Sequence, residues 1–161
     1  MKTQSSLWLS FVFEATIQLV TNQYLICIKS VAKIFKMEKF ISKEETYQII
    51  GICMEVHREL GFGFSEIVYK DAIEMEAIIK AIQVEREKVY DVHYKGKKLR
   101  HKFYADFVMF DNVIVEIKAC AGGICDDHIS QTLNYLKVSG CGVGLIINFG
   151  KKNLEHKRLV F

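Results

Sequence analysis

The chain of 161 residues is half hydrophobic and a quarter charged, with no proline, a composition that fits one globular domain with a real core and is too short for two. Its formal net charge of +3 arises in residues 1–36, where Lys2, Lys29, Lys33 and Lys36 face Glu14 alone; of 22 basic and 19 acidic residues, the rest of the chain holds 18 of each. A generally basic surface is thereby excluded, and any electrostatic footprint for a polyanion must be local.

Residues 1–36 stand apart. Residues 7–13 form an apolar run behind Lys2, but Glu14, Gln18, Asn22 and Gln23 interrupt the pattern and no small-residue cleavage site follows. Neither a secretory signal nor a span of roughly 20 apolar residues is well formed. The preferred reading is an extension over 1–36, outside a functional domain over 37–161 whose Met37 opens like an ordinary cytosolic start. A membrane anchor is the lesser alternative. Five cysteines, Cys27, Cys53, Cys120, Cys125 and Cys141, form an odd set without a C-x-x-C pair. Reduced thiols in a cytoplasmic protein are expected rather than a disulfide framework. Cys120 and Cys125 flank a glycine turn, but no second pair or suitably spaced His accompanies them as zinc would require.

Residues 42–45 fit a capping box, with Ser42 as N-cap and Glu45 three residues on. Behind it Ile49, Ile50, Cys53, Val56 and Leu60 recur at helical spacing, which predicts an amphipathic helix over 43–60 ended by Gly61-Phe62-Gly63. A second helix is predicted from Ser65 to about Ala81, with Val68, Ala72, Met75, Ile78 and Ile79 turned inward. Glu66 lies in its first turn, where an acidic residue compensates the helix dipole, and Tyr69 reads as a half-buried aromatic. Neither demands more than that on its own.

Residues 84–94 alternate as one strand or a bent pair, 95–98 (KGKK) read as a turn, and 99–110 return as a long strand. Lys95, Lys97, Lys98, Arg100 and Lys102 make the one dense basic patch of a neutral domain. Such a patch is either a solvated tip that protects an edge strand or a phosphate contact. Further on, 119–123 form a loop and about 127–138 a helix, which places Gln131 and Tyr135 on one face at i and i+4. His128 lies one turn before Gln131; for it and for His57 a structural role and a site role both stay open. Residues 142–149 are nearly all apolar, as in a strand buried on both faces, and 157–161 are available for a last short strand. The sum is an α/β (mixed α+β) fold in the order α-α-β-β-β-α-β, a mixed sheet flanked by helices.

Within this frame residues 106–118, DFVMFDNVIVEIK, concentrate the chemistry. Two apolar runs flank Asp111-Asn112, a pair suited to a tight turn, so the stretch reads as a β-hairpin. Alternation along the second strand puts Glu116 and Lys118 on one side, and Asp106 on the first strand can meet them. Two carboxylates and an ammonium on one face are what metal-assisted phosphodiester hydrolysis needs, the carboxylates for a hard divalent cation and the lysine for the attacking water. The same Glu-x-Lys pair equally describes the solvated face of an antiparallel sheet.

Residues 63–69 spell G-x-x-E-x-x-Y through Gly63, Glu66 and Tyr69. With EVHRELG at 55–61, Ala105-Asp106, VIVEIKA at 113–119, and Gln131 through Leu136-Lys137, the chain resembles the GxxExxY family, a small bacterial and archaeal branch of the PD-(D/E)XK nuclease superfamily. The resemblance spans about residues 49–149 and leaves 1–36 without a counterpart. The family commonly has proline where this chain has Phe62, a difference that touches no proposed catalytic group.

The resemblance implies a PD-(D/E)XK nuclease-like core and roles for single positions. Asp106 and Glu116 would be metal-binding carboxylates, Lys118 the active-site lysine, the Ile117 carbonyl a further ligand and Glu66 the helix-borne acid. Gln131 and Tyr135 look like the helix motif that lines the site and positions a DNA backbone. Apart from the resemblance, the local charge makes Lys97, Lys98 and Arg100 the candidate phosphate contacts. The implied activity is Mg²⁺- or Mn²⁺-dependent cleavage of DNA with no small-molecule cofactor. The sequence itself adds the expectation of no membrane partner, and the small size of the domain that of homodimerisation as a way to engage both strands. The alternative is a nucleic-acid- or partner-binding module that keeps the fold without turnover.

Overall fold

The structure is a computed structural model and describes residues 43–161. Helices α1 (Lys43–Leu60) and α2 (Glu66–Ile79) are followed by strands β1 (Val84–Tyr94), β2 (Lys97–Met109) and β3 (Val113–Lys118). Helix α3 (Asp126–Ser139) and strands β4 (Val143–Asn148) and β5 (Glu155–Val160) complete the order. The expected α-α-β-β-β-α-β series is present, with β5 added in the tail and starting two residues earlier than residue 157. The five strands form one sheet in sequence order. All neighbours are antiparallel except β3 and β4, which run parallel and therefore need the α3 crossover between them.

The centre of the sheet carries the core. Residues 113–117 and every residue of β4 are buried, as unbroken apolar runs predict for strands covered on both faces. Helix α3 covers this centre through Tyr135 and Leu136, which cluster with Ala105, Val108 and Ile114. Its approach is close at Gly144, where an added Cβ would lie 2.6 Å from Thr132 Cγ2. On α1 the buried stripe is Thr46, Ile49, Ile52, Cys53 and Val56; Ile50 and Leu60 lie at its margin. Ser42, the expected N-cap, falls outside the described residues.

Helix α2 departs from expectation. Its buried positions are Tyr69, Ile73 and Ala77, whereas Met75, Ile78 and Ile79 are 64%, 67% and 73% exposed. The helix is apolar on more than one side, so periodicity alone left its phase ambiguous. Tyr69 decides it, because its ring stacks on Phe149 with centroids 4.3 Å apart. Arg86 on β1 adds a tie on the polar side, donating to Asp71 and Glu74 at 2.7 and 2.8 Å.

Both hairpin turns sit one or two residues from their expected places. The β1–β2 turn is confined to Lys95 and Gly96, both at positive φ, so Lys97 and Lys98 belong to β2. The β2–β3 turn is centred on Phe110 and Asp111, at φ 53° and 59°, not on Asp111-Asn112. Asn112 acts instead as a tether: its Oδ1 accepts the Gly142 N–H at 2.8 Å and fixes the entry to β4. β1 is one strand, but its pairing with β2 shifts register between Asp91 and His93. There a single residue of β1 faces three of β2, which bends the outer hairpin.

None of the described helices is long and apolar enough to cross a membrane. The four described cysteines, Cys53, Cys120, Cys125 and Cys141, are free thiols, and burial pushes Cys53 up to about 12. Because residues 43–161 hold a buried core of their own, residues 37–161 are expected to fold alone. Circular dichroism and a cooperative melt of the truncated protein check this; an insoluble or unfolded product would refute it.

Candidate active site

The site lies where β2 leaves β3. Their ladder closes with Phe107 opposite Val115, and the next opposed pair in that register is Asp106 and Glu116. There side chains replace the ladder: the Asp106 N–H donates to Glu116 Oε1 at 3.3 Å, and the Ile117 N–H donates to Asp106 Oδ2 at 2.8 Å. Beyond this point β2 stays with β1, while β3 stays with β4 as far as Lys118 opposite Asn148. The sheet forks, and the fork holds the charges.

Each carboxylate also meets an ammonium. Lys118 Nζ lies 3.5 Å from Glu116 Oε2, so the Glu-x-Lys pair shares one side as alternation requires. Lys70 of α2 pairs with Asp106 Oδ1, and both side chains are largely buried, at 15% and 14% exposure. Glu116 is almost wholly enclosed, and its carboxyl is pushed up to about 7, first by burial and then by the nearby Asp106 charge; Lys118 and the Asp106 N–H pull the other way. Two carboxylates are thus set against each other at low dielectric, an arrangement that a hard cation between them would relieve.

Glu66 reaches the same region from the first turn of α2, where its Oε1 accepts the Ala119 N–H at 3.2 Å. It stands beside the residue that follows Lys118, at the rim of the fork. Among the described residues no three acidic, His or Cys side chains stand together as a metal-holding group; each carboxylate here accepts a protein donor. By chemistry alone the carboxylate oxygens of Asp106, Glu116 and Glu66 are hard donors of the kind a magnesium-like ion takes.

The rest of the G-x-x-E-x-x-Y segment is scaffold. Gly63 adopts φ +112°, a conformation open to glycine at little cost. The Tyr69 hydroxyl donates to the Gly61 carbonyl at 3.0 Å and accepts the Phe64 N–H at 3.2 Å, closing the loop that delivers Glu66. Tyr135 is also a pin. It is 6% exposed, and its hydroxyl donates to the Tyr104 carbonyl at 2.8 Å, two residues before Asp106, while Gln131 Nε2 donates to that hydroxyl at 3.3 Å. Burial and the Glu116 charge raise the Tyr135 phenol. Both histidines are structural: His57 Nε2 bonds the Lys151 carbonyl at 3.0 Å, and His128 Nδ1 accepts the Cys125 N–H at 3.3 Å at the start of α3.

The basic hairpin is not brought to the carboxylates. Lys98 lies eight residues from Asp106 along β2, roughly 26 Å at the usual strand rise, beyond the register shift. Asp91 engages Lys98 at 2.6 Å and Lys102 at 4.0 Å. Lys97 and Arg100 have no ionic partner among the described residues.

Two side chains escaped the sequence reading. Lys70 is one, a lone cation in the second turn of a helix, where only its i+4 spacing from Glu66 marks a shared face. Asn148 is the other. Fully buried in β4, its Oδ1 accepts the Cys120 and Gly150 N–H groups, and its Nδ2 donates to the Cys120 carbonyl and to Glu155 Oε2. It fixes the loop after Lys118. Gly150 makes room for that loop, since an added Cβ would lie 2.4 Å from the Cys120 backbone. A lone Asn ending an apolar strand gives no signal of this kind.

The profile of the PD-(D/E)XK nuclease superfamily matches residues 43–159, and the chain belongs to that superfamily. Its mixed sheet and helix order are consistent with the superfamily's fold. Among solved structures the chain is similar to the crystal structure of SSO0001, with 16% identity, a TM-score of 0.43, and coverage of 83% of this chain and 77% of that one. No curated protein matches it.

Proposed function

We propose that the protein is a metal-dependent nuclease of the GxxExxY branch, hydrolysing DNA phosphodiester bonds at the fork between β2 and β3. The observation that carries this is the buried, mutually repelling Asp106–Glu116 pair with Lys118 Nζ 3.5 Å from Glu116. Asp106 and Glu116 would hold a Mg²⁺ or Mn²⁺ ion, with Glu66 and the Ile117 carbonyl completing its protein ligands. Such an ion, when bound, supplies Lewis-acid polarisation of the phosphate and a more acidic water. Lys118 orients the attacking water and stabilises the charge gathered on the phosphoryl oxygens. Asn148 and Gly150 hold the loop that sets the end of β3, and Tyr135 holds β2 beside it. The cytoplasm is the proposed location, and homodimerisation the proposed route to both strands.

The test is cleavage of linear, nicked and branched DNA by the full chain with Mg²⁺ or Mn²⁺. The expected result is metal-dependent cutting abolished by a chelator; a protein that binds metal and cuts none of these substrates would overturn the reading. In that event the second reading, a binding module on a nuclease fold, takes its place. It is favoured by one observation: every carboxylate of the site already has a protein partner.

The hairpin is proposed as an outlying phosphate contact. Replacing Lys97, Lys98 and Arg100 by Ala is expected to weaken DNA binding across sequences and to reduce the salt slope by about 1–3. Lys97 and Arg100 should carry most of this, because Lys98 is already neutralised by Asp91. Binding isotherms at several salt concentrations decide it, and an unchanged slope reduces the hairpin to a solvated edge.

A further inference from the structure

We infer that Lys70 is the site's resident cation, an ammonium that holds the metal-ligand oxygen of Asp106 and is displaced when a divalent ion enters. The inference rests on reading the fork as a metal site and goes beyond it in naming what the ion must compete with. Lys70 follows Glu66 by four residues on α2, so one helix face presents a carboxylate and an ammonium to the fork. Its Nζ pairs with Asp106 Oδ1, while Asp106 Oδ2 is taken by the Ile117 N–H. The backbone bond ties Asp106 to the opposing strand. Each oxygen of Asp106 thus already accepts one protein donor, and only the one at Oδ1 carries a positive charge.

Burial makes the pairing consequential. A carboxylate only 14% exposed beside a second, buried carboxylate would be an uncompensated charge without its ammonium. Lys118 cannot serve both, because it faces Glu116 on the other strand. An entering ion then competes with Lys70 for Asp106 and meets its like charge, and both effects weaken its binding. An ammonium also has three rotatable donors on a flexible stem, so it can yield the oxygen without movement of α2.

The test uses the full chain and Mg²⁺ alone, by calorimetry. Lys70→Met keeps the stem and removes the charge; it is expected to bind Mg²⁺ at least about tenfold more tightly than wild type, since like charges a few ångströms apart at an effective dielectric near 20 repel by more than that factor. Lys70→Arg keeps the charge and should bind no more tightly than wild type. Independently, acetylation of Lys70 in the wild type, followed by mass spectrometry, should be slow without metal and several-fold faster at saturating Mg²⁺. This second readout needs no variant to fold. Equal Mg²⁺ affinity in folded Lys70→Met and wild type, or a Lys70 labelling rate that saturating metal leaves unchanged, would overturn the inference while the metal site stands. If wild type, Lys70→Met and Asp106→Ala all fail to bind Mg²⁺, the inference falls together with the site reading.

Discussion

Lys118→Ala is expected to lose cleavage by roughly 10²–10³ while Mg²⁺ binding survives or tightens, because the change removes a preorganised positive charge and no ligand. Asp106→Ala and Glu116→Ala should behave otherwise, with metal affinity and cleavage falling together. The two carboxylates differ in what else they hold. Asp106 accepts the Ile117 N–H and Glu116 accepts the Asp106 N–H, so either truncation also frees a backbone donor at the fork. Each such loss costs about 1–3 kcal/mol. Folded fractions must therefore be matched before rates are compared. Glu66→Gln retains an acceptor for the Ala119 N–H, and a partial loss of both properties is expected. Metal titration beside single-turnover cleavage separates the cases. A Lys118→Ala protein that cleaves as wild type does would remove the catalytic assignment.

The contrast between Asp106 and Lys70 shows how far the site was legible. Alternation along β3 placed Glu116 and Lys118 on one side, and a turn between the strands placed Asp106 opposite them, because strand periodicity is set by the backbone itself. It held even though the turn lies one residue earlier than expected, at Phe110-Asp111. Lys70 and Asn148 reach their partners only through tertiary packing, and a sequence records no such contact. Helix phase failed for a related reason. Met75, Ile78 and Ile79 have the spacing of a core stripe, yet the stacking of Tyr69 on Phe149 turns α2 the other way, leaving Met75 and Ile79 lining a groove with Val56 and Leu60. The resemblance carried by the G-x-x-E-x-x-Y segment pointed to a functional region, but it did not say that Tyr69 fastens the loop that delivers Glu66.

Glu116→Gln is expected to separate stability from function through pH. The folded-state pKa of Glu116 is about 7 against an ordinary 4.5, so the folded protein holds this proton more tightly than the unfolded chain. The resulting stability is fully present below about pH 4.5 and is lost as pH rises through 7. Above that range the metal-free wild type is weakened by about 3 kcal/mol, since each tenfold difference in proton affinity is worth about 1.4 kcal/mol. Glutamine imitates the protonated form at every pH and forfeits only the smaller attraction to Lys118. At pH 8 without metal the variant should therefore melt higher, by on the order of 10 °C for a domain of this size. At pH 5, where the wild-type carboxyl is itself protonated, the two should melt within a few degrees. Adding Mg²⁺ at pH 8 should raise the wild-type melting temperature by mass action, while the variant, with one anionic ligand fewer, should gain much less and should not cleave. A variant no more stable than wild type at pH 8 would mean that Glu116 is not held at high pKa, and that burial and Asp106 do not act on it as the fork's geometry implies.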